Sequence, residues 1–186
     1  MPGMLETATA IAAVLVGYLA VAAFPLLYVL VRWRSAGVGE PGLGTYGAIH
    51  YFRSVSLLIM LTALAVLVYI AMSEEDPRQL EEVSRIAKGL FTGAACIFVV
   101  HLVLGWQASR SLSGREDPVS RVFSGFVLLL AGSVTAAAVL VLFVLLFQED
   151  PEDEPVRAAI SFLLVWGLGY AGQLALMVFG ARKSSG

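Results

Sequence analysis

The sequence predicts an all-α integral membrane protein: a bundle of five transmembrane helices, N-terminus outside and C-terminus cytoplasmic. Three observations point there. Of 186 residues, 59% are hydrophobic and only 14% charged, whereas a soluble domain carries about 25% charged residues. Mean hydropathy is +0.84. The apolar residues also gather into five runs, at about 7–31, 46–72, 84–108, 120–147 and 156–180. A hydrocarbon core of roughly 30 Å needs about 20 helical residues to cross, and each run is long enough. Lipid cannot satisfy backbone N–H and C=O groups, so runs of this kind must be helices. The length suits a single transmembrane domain, 1–186.

The first run has no basic residue before it, and Arg32 and Arg34 follow it directly. A cleaved leader has the opposite charge order, so this run is expected to stay as an anchor, kinked at Pro25. Between the second and third runs lies Ser-Glu-Glu-Asp-Pro (73–77) with Glu81 and Glu82, and between the fourth and fifth lies Glu-Asp-Pro-Glu-Asp-Glu-Pro (149–155). The other connections are basic: Arg32 and Arg34, then Arg110, Arg115 and Arg121, then Arg182 and Lys183 in the tail. The positive-inside rule therefore sets the orientation. Arg78, Arg85, Lys88 and Arg157 run against it, on the acidic side. Ten arginines to two lysines, with no asparagine, fit a GC-rich bacterial source and hence an inner-membrane location. Trp33 and Trp106, followed by Gly-Glu-Pro (39–41) and Arg-Glu-Asp-Pro (115–118), suggest a weak hairpin duplication, 7–72 against 84–147.

One stretch, Tyr46 to Ala108, holds both histidines of the chain, His50 and His101. His50 falls about one turn from the cytoplasmic end of the second helix and His101 about two turns from the same end of the third, so their depths differ by a few Å. Consecutive helices usually pack side by side. Two imidazoles at matched depth could then clasp the iron of a b-type haem. Gly47 and Gly105 would leave room beside the porphyrin, Arg53 could pair with a propionate, and Tyr46, Tyr51, Phe52, Phe98 and Trp106 could form aromatic walls. The competing expectation is that these histidines and Arg53 are interfacial side chains with their polar tips towards headgroups, and that the glycines serve helix packing. Two histidines are too few for a zinc site.

In helix number and size the chain resembles the five-helix cytochrome b anchors of quinone-linked reductases. Those anchors typically hold two haems through four histidines, and two histidines here would serve one haem, on the cytoplasmic side. The resemblance implies an electron-transfer or anchor subunit of a larger membrane complex, in which one haem alone could not carry electrons across the bilayer.

Absent residues narrow the field. No Asp, Glu, Lys or Arg falls in the middle of any run, which argues against an ion-coupled transporter. No nucleophile–base set, phosphate-cradling glycine loop or metalloprotease motif is present, so catalysis by this chain alone is not expected. A net charge of −2 without a basic run excludes nucleic acid as a partner. The single cysteine, Cys96, cannot form an internal disulfide. Beside the haem subunit stand two other readings: a non-catalytic accessory or scaffold subunit, and a channel or uncoupled permease built by oligomerisation. Thr62, Thr92, Ser133, Thr135, Ser161 and Gln173 are the polar groups left for a pore. Small residues (Gly89 and Gly93, Gly132 and Ala136, Gly167 and Ala171) could bring helices together within the chain, or against other subunits or a second copy. The acidic outer loops could attract a basic periplasmic protein.

Overall fold

A computed structural model of the protein describes residues 16–31, 43–74, 77–111, 118–148 and 152–183. Among them are five helices and no strand: α1 (Val16–Val31), α2 (Leu43–Met72), α3 (Pro77–Ser111), α4 (Pro118–Leu146) and α5 (Asp153–Lys183). Four of these, α2 to α5, are long and apolar enough to cross a membrane, so the protein is of the multi-pass kind. The described part of α1 spans about 24 Å at 1.5 Å per residue, short of a full crossing, and it stays helical through Pro25. The expected start of that run, 7–15, lies outside the described residues, as do Arg32, Trp33, Arg34, Gly-Glu-Pro (39–41), Arg115 and the acids at 75–76 and 149–150. Phe143, Val144, Leu168 and Leu176 are each more than half exposed, which an aqueous surface would penalise and a lipid one favours.

Helix starts are where the sequence expectation needs correcting. The acidic stretch 73–82 is not one loop, because α3 already begins at Pro77 and carries Glu81 and Glu82 in its first turns. Pro77 and Pro118 take the first helical positions of α3 and α4, where a missing N–H costs nothing. Asp153 and Glu154 occupy the first turn of α5, where the helix dipole favours negative charge. Each of these three helices therefore begins before its apolar run does.

The described chain forms two compact units, Met1–Ile59 with Ala95–Phe123 and Met60–Ala94 with Ser124–Gly186. In the first, Val29, Val119 and Phe123 form a buried cluster, with Leu26 and Tyr51 packed on it. Gly47 makes this possible: a Cβ there would stand 3.2 Å from Val29 Cγ1 and 3.7 Å from Leu26 Cδ1. In the second unit, Trp166 is the largest fully buried side chain, and Ala65, Ala131 and Val127 are buried with it. Gly132 accommodates the Tyr170 ring, with a Cβ position 3.0 Å from Cε2, and Gly169 accommodates Leu61 at 3.1 Å. Between membrane helices the drive to associate comes from close packing, and small residues allow it.

The second unit also contains a polar tie. Arg157, one turn into α5, donates from Nη1 to the carbonyl of Met72 at 3.2 Å, the last residue of α2. Its Nη2 lies 2.6 Å from Glu74 and 4.0 Å from Asp153. A cation at a helix C-terminus meets the negative end of the dipole and satisfies an otherwise unpaired carbonyl. Tyr69 adds a second link by donating to Glu154 at 2.5 Å.

Two substitutions test this packing. Arg157→Ala should lower unfolding stability in detergent by about 1–2 kcal/mol. Glu74→Gln should cost less than about 0.5 kcal/mol, because that carboxylate is 84% exposed. Equal losses would show that the ion pair, not the helix-end contact, carries the stabilisation. Gly132→Leu should destabilise by about 1–3 kcal/mol through overpacking against Tyr170, and a melting curve unchanged from the wild type would rule that contact out.

Candidate functional site

The stretch from Tyr46 to Ala108 does close on itself. The Tyr46 hydroxyl donates to the carbonyl of Ala108 at 2.7 Å, joining the start of α2 to the last turns of α3. Tyr51 donates to the Leu19 carbonyl of α1 at 3.3 Å. Both histidines lie between these ties in sequence, and each has an aromatic neighbour.

His50 is buried, 4% exposed, and its ring stacks on Phe123 of α4, centroids 6.2 Å apart and planes inclined by 21°. His101 is half-buried, and its ring lies 5.2 Å from Phe52 at 36°. His50 and Phe52 are two residues apart on α2, which puts them about 200° apart around the helix. The side of α2 that meets His101 is thus the side carrying Phe52, and His50 is turned towards α4. A haem held between the two imidazoles would require Phe52 to give way.

The remaining members of the predicted set have the following surroundings. Gly47 makes room for Val29 and Leu26 of α1, and a Cβ at Gly105 would meet Ile49 Cγ2 at 3.6 Å. Arg53 is half-buried, and its backbone carbonyl accepts from Ser56 at 3.0 Å. Tyr51 and Phe52 meet edge-on at 5.3 Å, while Trp106 is 55% exposed. Among the described residues no group of three or more His, Cys, Asp or Glu could hold a metal ion.

His101 nonetheless has one property of a ligand. Its Nδ1 lies 2.8 Å from the carbonyl of Ile97, one turn earlier on α3. A carbonyl only accepts, so Nδ1 is the donor in this contact, which leaves Nε2 as the ring nitrogen for a ligand. Ligating histidines are usually oriented through the opposite nitrogen in this way.

Hydroxyls named for a pore bond locally. Ser133 donates to Leu129 at 2.9 Å, Thr135 to Ala131 at 2.7 Å, Thr92 to Lys88 at 2.8 Å and Ser161 to Ala158 at 2.8 Å, all within their own helices. An open cleft of about 660 Å³ beside α4 includes Ser133, Thr135 and Tyr170, but neither Thr62 nor Gln173.

Sequence reasoning missed Phe123 as the partner of His50, since nothing local in α4 points to it. It also missed Gly169, whose small-residue spacing to Gly167 is not the four-residue one. Arg157 had a signal, as a cation stranded among acids. In comparison with known proteins, no family model, no curated protein and no solved structure matches the chain.

Proposed function

We propose that the protein is a non-catalytic multi-pass subunit of the bacterial inner membrane, oriented with its N-terminus outside, that assembles with another transmembrane helix through α3. One observation carries this reading. Of the membrane-spanning part of α3 only 6% is buried within the chain, against 28% for α2, and a Cβ at either Gly89 or Gly93 would meet nothing within 4 Å. Glycine weakens a helix, and at Gly132 and Gly169 a neighbour fills the space it leaves, whereas at Gly17, Gly125 and Gly172, as at Gly89 and Gly93, the space is open. Among these open glycines of the described residues, Gly89 and Gly93 form the pair spaced four residues apart on one helix. The partner is a helix of a second subunit or of a second copy, approaching closely at these glycines.

Gly93→Leu should leave the melting temperature unchanged, because the space is open. It should abolish association, read as disulfide crosslinking through the exposed Cys96 for a second copy and as loss of co-purifying subunits for a different one. Association unaffected by Gly89→Leu and Gly93→Leu together would remove α3 as the assembly face.

A second reading, haem ligation by His50 and His101, is favoured by the His101 Nδ1 contact. It makes the subunit an electron-transfer component and requires the Phe52 ring to move. An optical spectrum of purified protein, oxidised and dithionite-reduced, should then show a b-type α-band that disappears in His101→Ala. A flat spectrum from folded protein, before and after haem addition, would eliminate it.

A further inference from the structure

Four cations stand on the acidic side of the chain against the charge rule. Arg157 is accounted for by the end of α2. Arg85 and Lys88 are not: both are exposed, and no ion pair or hydrogen bond engages their side chains among the described residues. With Glu81 and Ser84 they form a stripe at i, i+3, i+4 and i+7 on α3. This stripe and Leu80 border an open cleft of about 510 Å³, completed by Ile70 and Ser73 from the end of α2. The cleft thus has two free cations and two hydroxyl-bearing residues on one wall pair, and apolar Ile70 and Leu80 beside them.

Its depth matters as much as its lining. Lys88 is the last charged residue before the uncharged run that starts at Gly89 and continues past Trp106. The two cations therefore sit where hydrocarbon gives way to headgroups. A snorkelling lysine or arginine reaches outward singly. Here two converge on one cavity, and the guanidinium fork matches the oxygens of a phosphate.

We propose that this cleft binds a phosphate group, supplied by a glycerophospholipid whose glycerol and upper acyl segments lie against Ile70 and Leu80. Arg85 and Lys88 take the phosphodiester and Ser84 donates to it, while the Glu81 carboxylate repels it. The described lining carries two cations and one carboxylate, a charge of +1 that matches a single phosphodiester. The inference stands whatever covers Gly89 and Gly93.

The test uses the full chain in mild detergent, examined by native mass spectrometry with added phosphatidylglycerol and, separately, with sodium phosphate. Arg85→Gln/Lys88→Gln should reduce lipid adducts by about tenfold or more, the loss expected from removing charged hydrogen bonds. Should only sodium phosphate binding fall in the variant, the site takes a soluble phosphate and the lipid source is overturned. Equal binding of both probes by wild type and variant overturns the site itself. Glu81→Gln provides an independent reading if the double variant does not fold: adducts should increase when the competing carboxylate goes, and an unchanged level counts against the proposal.

Discussion

A hydrocarbon solvent accepts and donates no hydrogen bonds, and the polar side chains of this protein are disposed around that constraint. Ser56, Thr92, Ser133, Thr135 and Ser161 each donate to a carbonyl three or four residues back, and the imidazole of His101 does the same. Such back-bonding bends and slightly weakens a helix in water. In lipid the alternative is an unsatisfied hydroxyl, costing several kcal/mol. Each hydroxyl satisfied in this way has committed its one donor and keeps only its acceptor lone pairs for other roles. A pore lined by threonines or a polar seam between helices would need the same groups.

Once the backbone and hydroxyls are satisfied locally, what remains to hold helices together is shape and the helix ends. The glycines show how shape is used. At Gly47, Gly132 and Gly169 a neighbouring side chain occupies the missing Cβ volume, so each is a contact point inside its own unit. At Gly89 and Gly93 the volume is open. Identical sequence chemistry thus stands in two different surroundings, and the same open space is found at Gly17, Gly125 and Gly172. Trp166 shows the cost of packing without polar partners, since its Nε1 is buried and makes no hydrogen bond.

The membrane class and the positions of α2 to α5 were legible because run length and composition are local properties. Predicted and observed ends of α2 agree at residue 72, whereas α3 and α5 begin earlier than their apolar runs. A helix continues into water when a proline opens it or acids occupy its first turn, and hydropathy does not register either. The candidate site was legible only in part. Matched depth for His50 and His101 follows from counting residues, but the direction of each ring depends on rotation about the helix axis. That rotation is set by distant residues, here Phe123 and Val29 with Gly47, which periodicity could not supply because α2 is apolar nearly all round.

Charge at the helix ends is where sequence bias and structure meet most closely. Read as a tally, Arg85, Lys88 and Arg157 merely dilute the acidic excess on their side. Placed on helices, they separate by what surrounds them. Arg157 is half-buried against a helix C-terminus, with Glu74 and Asp153 near, and its role is spent within the chain. The acids divide likewise, for Glu154 is bound to Tyr69 whereas Glu81 faces an open cleft. A charge held by the fold explains stability and nothing further. Charges of both signs gathered on an open cleft at the headgroup level have no side-chain ion pair or hydrogen bond among the described residues, and phosphate is the group of a bilayer surface whose charge suits them.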